Sequence, residues 1–312
     1  MCIRDSCGNV SWSHNAGPLS DDCGATGTVS VTFTAIDECG NTDQASASFT
    51  VIDDVAPTIT IEAIPQTVEC DGAGNIAEYQ AWLANFAGAE AIDDCGTVTW
   101  SFGTGTFTDE CGATGFVTID FTATDECGNT SMTTADFIIE DTAAPDITVP
   151  ADDLVVDCDG AGNNAELTNW LNARGGAAAT DDCGSVSWSY ALGALTDGCG
   201  QSTSQEVTFY VTDDCGLIDS TIANFITEDV TPPSIDTPAS NQTVECDGAG
   251  NIAQYQTWLT SNGNAIATDA CGALSWTYVE SGFVTSCGLA GSTSVTFTVS
   301  DECNNTLSLI HI

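Results

Sequence analysis

Residues 70–127 read CDGAGNIAEYQAWLANFAGAEAIDDCGTVTWSFGTGTFTDECGATGFVTIDFTATDEC, and the four cysteines of this stretch set the organisation of the chain. The same pattern returns twice, with gaps of 25, 16 and 16 positions and a period of 88. A strict repeat of this length indicates an array of small domains, because solenoid units are only about 20–50 residues long. The cysteines on the pattern are Cys70, Cys95, Cys111 and Cys127, then Cys158, Cys183, Cys199 and Cys215, then Cys246, Cys271, Cys287 and Cys303, and, one period before the first set, Cys7, Cys23 and Cys39.

The period predicts four consecutive domains, at 1–57, 58–145, 146–233 and 234–312, of which the first and last are incomplete. Short linkers join them, each opening with an aspartate and closing with a proline, which disfavours helix. Residues 1–6, which carry Cys2, and about 308–312 are interpreted as non-native ends. Because the chain also lacks the apolar core of a signal peptide, we expect an internal piece of a longer exported protein.

Cysteines on so regular a pattern predict disulfide bonds, which persist outside the reducing cytosol. A structural zinc site is the alternative, but zinc ligands come in pairs separated by two to four residues, and no such pair occurs among the cysteines on the repeat pattern. Four cysteines per repeat allow three pairings. If TVTWSF and the strand that begins at Phe116 are antiparallel neighbours, one pairing within each repeat is favoured, and the expected bonds are Cys7–Cys39, Cys70–Cys111, Cys95–Cys127, Cys158–Cys199, Cys183–Cys215, Cys246–Cys287 and Cys271–Cys303.

Charge excludes several partners. The chain has 45 acidic residues against two basic ones, Arg4 and Arg174, so nucleic acids and anionic membranes are excluded by repulsion. No stretch reaches the 18 or more apolar residues of a membrane helix. Cations are the favoured ligands, with the alternative that the acidic surface serves only solubility.

Hydrophobic periodicity predicts one helix and several strands per repeat. After DGAGN, whose asparagine can cap a helix, apolar residues recur at helical spacing. Alternation with a period of two then indicates half-solvated antiparallel strands. The predicted fold is mainly β: tandem β-sandwich repeats of 88 residues, each with one short inserted helix and two disulfides. The predicted core residues of the second repeat are Ile76, Tyr79, Trp82, Leu83 and Phe86 in the helix, and Val98, Trp100, Phe102, Val117, Ile119, Phe121, Ala123, Ala135, Phe137 and Ile139 in the strands.

The stretch FTATDECGNTSMTTADFIIEDTAAP, residues 121–145, resembles the closing segment of hyalin repeats (HYR) and related immunoglobulin-like modules. Such modules occur in tandem in secreted bacterial surface adhesins. The resemblance covers about half of each repeat and implies an immunoglobulin-like sandwich with Trp100 in its core. The CDGAGN turn and its helix depart from the usual module, so no binding residue is carried over.

No catalytic set recurs with the repeat, which predicts that the protein is not an enzyme; a hydrolase with paired carboxylates is the weaker alternative. Acidic and amide oxygens do recur, in a loop E-x-D-G-x-G-N and around the cysteines, and hard cations bind such oxygens. The sequence therefore predicts calcium as a cofactor. The candidate ligands are Glu69, Asp71, Asn75, Asp93, Asp94, Asp125 and Glu126; Asp157, Asp159, Asn163, Asp181, Asp182, Asp213 and Asp214; and Glu245, Asp247 and Asn251.

These features predict a structural stalk of a large secreted or cell-surface protein, an adhesin whose modules are held by disulfides and stiffened by calcium. The expected partners are the neighbouring repeats of the same chain. Two alternatives stay open: the modules themselves bind glycans or host cell-surface proteins, or they assemble into an extracellular filament.

Overall fold

A computed structural model of the chain describes residues 8–287 and 290–311 and is built mainly of β-strands. Contacts divide it into two compact units, a first unit of Met1–Ala143 with Asp182–Gly184, and a second unit of Ala144–Asp181 with Ser185–Ile312. The predicted class, a mainly β protein with one short helix in each fuller repeat, is confirmed. Among the described residues, no helix has the length and apolarity needed to cross a membrane.

The described part of the first unit has ten strands, one of them only two residues long, and one α-helix. They are β1 (Ser11–Ala16), β2 (Gly27–Ile36), β3 (Thr42–Val51), β4 (Thr58–Ile61), β5 (Gln66–Glu69), α1 (Ile76–Ala84), β6 (Glu90–Ile92), β7 (Thr99–Phe102), β8 (Thr108–Asp109), β9 (Gly115–Thr124) and β10 (Thr130–Glu140). In the first repeat β1, β2 and β3 form an antiparallel sheet.

The second repeat has two layers. Its main sheet has the order β5-β10-β9-β7, in which β5 runs parallel to β10 and the other pairs are antiparallel, and β8 also pairs with β9. The other layer consists of the two-stranded ribbon of β4 and β6 together with α1. Pro65 separates β4 from β5, since a proline cannot donate to a ladder.

The second unit repeats this plan. Its elements are β11 (Asp146–Val149), β12 (Leu154–Asp157), α2 (Asn164–Asn172), β13 (Ala178–Thr180), β14 (Ser187–Asp197), β15 (Thr203–Thr212), β16 (Ile218–Glu228), β17 (Ser234–Thr237), α3 (Ile252–Thr260), β18 (Ile266–Thr268), β19 (Ser275–Glu280), β20 (Val284–Cys287), β21 (Ala290–Ser292), β22 (Val295–Ser300) and β23 (Thr306–His311). The sheets have the orders β12-β16-β15-β14 and β19-β22-β23, and the two-stranded ribbons are β11-β13, β17-β18 and β20-β21.

A helix tryptophan packs on sheet phenylalanines in the core of each repeat that has a helix, on two in the second and third repeats and on Phe297 in the fourth. In the second repeat Trp82 is 5% exposed, and its ring centroid lies 5.3 Å from that of Phe121 and 5.6 Å from that of Phe137. The indole Nε1 donates to the Ile64 carbonyl at 3.0 Å, so the polar atom of this buried ring is satisfied. Trp170 and Trp258 pack and donate in the same way.

The predicted faces of β9 and β10 are confirmed, whereas the predictions for β7 and for the helix are partly wrong, since Phe102 of β7 is 47% exposed. The alternating residues of β9 and β10 are buried as expected. Ile76, however, is 60% exposed, because it stands at the first helical position on the side turned away from the sheet. Phe86 lies beyond the helix, in a short 3-10 turn (Phe86–Gly88), and stacks on Trp100 with 6.0 Å between centroids.

We expect Trp82→Ala to lower the free energy of unfolding by about 3–5 kcal/mol, because it removes the ring that fills the space between helix and sheet. Trp12→Ala is the matched control, since Trp12 is 70% exposed, and it should cost less than about 1 kcal/mol. Urea denaturation without reductant measures both, and equal losses would contradict this account of the core.

Candidate functional site

Disulfide bonds join consecutive repeats. In the second unit Cys158 bonds to Cys271 and Cys199 to Cys303, at sequence separations of 113 and 104. In the first unit Cys23 bonds to Cys127, again at a separation of 104. Each bond starts in one repeat and ends in the next. Cys111 and Cys215 are disulfide-bonded as well.

The predicted pairing within repeats is therefore wrong. The partners found for Cys127, Cys158, Cys199, Cys271 and Cys303 exclude the expected bonds of these five residues. Among the described cysteines, Cys39, Cys70, Cys95 and Cys246 form no disulfide, and Cys183 lies beside Cys70, with its Sγ 3.4 Å from the Cys70 carbonyl oxygen. The pairs not formed are Cys70–Cys111, Cys95–Cys127, Cys158–Cys199, Cys183–Cys215, Cys246–Cys287 and Cys271–Cys303, whereas Cys7–Cys39 includes Cys7, which lies outside the described residues.

The physical reason is a turn of the preceding repeat that lies against the second cysteine of the next one. The Ala25 N–H donates to the Cys95 carbonyl at 2.8 Å, and the Gln201 N–H donates to the Cys271 carbonyl at 2.9 Å. Gly24 has φ +54°, and a Cβ on it would lie 2.1 Å from the Cys95 carbonyl oxygen, so only glycine fits. The expectation that Cys95 and Cys127 lie at the same end of the sheet overlooked that this end also receives the preceding repeat.

Acidic side chains just before the first cysteine of a repeat hold the linker that leaves the same repeat. Glu69 accepts hydrogen bonds from the Thr142 N–H at 2.8 Å and the Thr142 hydroxyl at 2.7 Å. Asp157 accepts from the Val230 N–H and the Thr231 hydroxyl in the same manner. These hydrogen bonds lower the pKa of the Glu69 carboxyl, with the Thr142 amide as the largest cause.

The E-x-D-G-x-G-N loop uses its oxygens on its own backbone. Asp71 Oδ1 accepts from the N–H groups of Ala73 and Asn75 at 2.8 and 2.9 Å, and these bonds lower the pKa of Asp71. Asn75 is buried in the left-handed region at φ 50°, and its amide donates to the Glu69 carbonyl instead of capping the helix as predicted. The loops of Asp159 with Asn163 and of Asp247 with Asn251 match this pattern. Calcium at these loops stays a prediction.

The acids expected around a Cys95–Cys127 bond have separate roles. Glu126 accepts from the N–H and hydroxyl of Thr97, and Asp125 closes a turn by accepting from the N–H groups of Cys127 and Asn129. Asp93 binds the Cys95 N–H, and Asp94 lies close enough to contribute to the raised pKa of that thiol.

The corresponding acids of the third repeat divide in the same way. Asp214 accepts from Ser185 as Glu126 does from Thr97. Asp213 closes the same turn as Asp125, but its Oδ2 has no hydrogen-bond partner among the described residues, because Leu217 stands where Asn129 stands in the preceding repeat. Asp181 and Asp182 directly precede Cys183, and the Asp182 carbonyl lies against Gly72.

Two convergent groups of side chains include residues that the sequence prediction missed. In the first unit, ligand atoms of Asp53, Asp93 and Cys95 lie within 4.8 Å of one another, and in the second unit carboxylate oxygens of Asp229, Asp269 and Asp301 do the same. At an effective dielectric constant of about 20, two unit charges this close repel by about 3 kcal/mol. The sequence did contain a signal for the linker residues: an aspartate recurs at the first position of every linker, as cysteines and acids recur elsewhere in the repeat.

Comparisons with known proteins found structural likeness only. No protein-family model matches the chain, and no curated protein sequence matches it. The solved structures found include protocadherin gammaB7 EC3-6 (12% identity, 98% of this chain and 92% of that chain, TM-score 0.31), protocadherin gammaB7 extracellular cadherin domains 1–4 (10%, 97% and 91%, 0.32) and Drosophila N-cadherin EC1-4 (10%, 99% and 92%, 0.24). TM-scores of this size do not establish a common arrangement, so no property of these proteins is transferred to this chain.

Peptide mapping without reductant should recover fragments that join Cys23 to Cys127, Cys158 to Cys271 and Cys199 to Cys303. A protease that cleaves at acidic residues is required, because the chain has only two basic ones. Fragments that join Cys158 to Cys199 would contradict the connection between repeats.

Glu69→Ala should lower the melting temperature at pH 7 and lose this effect in acid. Because the pKa of Glu69 is lowered in the folded state, its contribution is fully present above its ordinary value of 4.5 and disappears as the pH falls through the lower folded value. Thermal melts between pH 2 and 7 measure the difference, with exposed Glu62→Ala as the control. A constant difference across this range would contradict the role of the Glu69 charge.

Proposed function

We propose that the chain is part of a structural stalk of a secreted or cell-surface protein, an adhesin built of the four repeats 1–57, 58–145, 146–233 and 234–312. The observation that carries the proposal is that disulfides run from one repeat to the next. An enzyme or a freely jointed chain of binding modules has no need of such bonds, whereas a spacer that bears load gains a covalent path that bypasses the folded domains.

The covalent path through the second unit is short. Tension that arrives at Cys158 passes through its disulfide to Cys271 and then through 32 residues to Cys303. The alternative route runs along 41 residues from Cys158 to Cys199 and through the second disulfide. Either bond alone therefore limits the extension, so the loss of one bond leaves the stalk intact.

Calcium belongs to this proposal as the stiffening cofactor. Its support is the excess of 45 acidic residues over two basic ones and the carboxylate groups that face each other at the boundaries between repeats. Extracellular calcium is present at millimolar concentration, which matches the weak affinities of about 0.1–1 mM of many extracellular modules.

Direct binding of glycans or cell-surface proteins is the second candidate, and one recurring feature favours it. Phe102, Tyr190 and Tyr278 occupy the same place in consecutive repeats and are 47%, 51% and 44% exposed. Aromatic rings that are half exposed offer stacking surfaces. The helix tryptophans do not, because Trp82, Trp170 and Trp258 are buried.

Single-molecule stretching of the full chain tests the stalk. Reduction should lengthen the fully extended chain by at least about 380 Å, since Cys158–Cys271 alone encloses 113 residues at about 3.4 Å each. The variant that lacks only Cys158 and Cys271 should stay short in oxidising buffer, and the variant that also lacks Cys199 and Cys303 should extend without reductant. Equal lengths with and without reductant would refute the load-bearing role.

A further inference from the structure

Three aspartates of the second unit converge from separate segments of the chain. Asp229 opens the linker, Asp269 stands two positions before Cys271, and Asp301 stands two positions before Cys303. One carboxylate oxygen of each lies within 4.8 Å of the other two. Because both cysteines are disulfide-bonded to the preceding repeat, the geometry of the three acids is fixed covalently.

Two of the three carboxylates are buried and incompletely satisfied. Asp229 is 7% exposed and Asp301 is 4% exposed, and the Oδ2 atom of each has no hydrogen-bond partner among the described residues. A buried charged oxygen without a partner is costly. Burial is the largest cause of the raised pKa of Asp229, and the charges of Asp301 and Asp269 follow.

The hydrogen bonds that do exist leave these oxygens free for a ligand. Asp269 Oδ1 accepts from the Cys271 N–H at 2.7 Å, and Asp301 Oδ1 accepts from the N–H groups of Cys303 and Asn305 at 2.8 and 2.9 Å. The Asn305 side-chain amide donates to the Asp229 carbonyl at 2.9 Å, and Asp301 Oδ2 has no hydrogen-bond partner among the described residues.

The first unit provides the contrast. There the amide of Asn129 donates to Asp125 Oδ2 at 2.8 Å, so the residue that corresponds to Asp301 is satisfied by protein alone. The remaining pair, Asp53 and Asp93, is only half-buried and faces a thiol. Of these two sets, the one in the second unit is therefore the one that keeps buried carboxylate oxygens unpaired.

We propose that Asp229, Asp269 and Asp301 form a binding site for a hard divalent cation of the calcium type. Carboxylate oxygens without imidazole or free thiolate select against soft transition metals. Calcium accepts oxygen ligands in flexible geometry, whereas magnesium requires near-octahedral geometry. None of the three residues belongs to the set that the sequence predicted. The ion would tie the linker to both cysteine turns of the next repeat. This role of the ion as a stiffener rests on the proposed stalk function.

Calcium binding to the oxidised full chain, measured by equilibrium dialysis or calorimetry at pH 7, tests the site. We expect a dissociation constant of about 0.1–1 mM. Asp301→Asn keeps an oxygen for the two backbone amides but removes the charge, and it should weaken this binding at least tenfold. Asp236→Asn, at an exposed position of β17, should leave it unchanged.

Thermal melts give an independent signature. Calcium should raise the melting temperature of the wild-type chain relative to EDTA, and Asp301→Asn should abolish that rise. In EDTA the variant should melt at or above the wild-type temperature, because it relieves the repulsion between carboxylates; a purely structural acid would give the opposite sign. If Asp301→Asn fails to fold, Asp269→Asn is measured with the same expectations.

The proposal is overturned if calcium leaves the wild-type melting temperature at its EDTA value, or if the wild type and Asp301→Asn bind calcium with equal stoichiometry and affinity. A rise with magnesium equal to that with calcium would overturn the preference for calcium. If the stretched chain has the same length with and without reductant, the stalk is contradicted and the ion site is unaffected. If Asp301→Asn and Asp269→Asn bind calcium as the wild type does, the ion site alone is contradicted.

Discussion

The turn between Cys23 and Thr26, and its counterpart after Cys199, is the constraint on which the arrangement of the repeats depends. Its glycine approaches the carbonyl of the next repeat's second cysteine so closely that no side chain fits. The approach places a sulfur atom within bonding reach of the next repeat, and the disulfide makes the contact permanent. By the chain-entropy model a bond that closes a loop of about 100 residues contributes about 4.7 kcal/mol. That contribution is large beside the small core of one helix tryptophan and two phenylalanines in the second and third repeats.

The sequence predicted local structure well because local structure depends on periodicity. The alternation in β9 and β10 and the helix after DGAGN are both present. Ile76 was wrongly predicted to lie in the core, because a side chain at the first position of a helix can point toward the sheet or toward solvent. The pairing of cysteines could not be obtained in this way. It depends on which surface of one repeat meets the next, and an 88-residue period is equally compatible with bonds inside a repeat and between repeats.

The acidic residues show a similar limit. From the sequence, every recurring carboxylate is an equally good candidate ligand. The structure distinguishes acids such as Asp71, Glu69 and Glu126, which hold backbone amides, from acids such as Asp301, which hold backbone amides and also face other carboxylates. Both kinds of acid have the same neighbours in sequence. They differ in whether an amide, such as that of Asn129, is at hand to satisfy the second oxygen.

The parallel pairing of β5 with β10, repeated by β12 with β16, has a mechanical consequence. The chain enters a repeat near the start of one of these strands and leaves at the end of the other. A pull on the two ends of the chain therefore slides the strands along each other in shear, and every hydrogen bond between them is loaded at once. An antiparallel hairpin pulled at its open end would instead peel apart one bond at a time. The second and third repeats thus resist rupture by backbone geometry even where no sulfur shares the load.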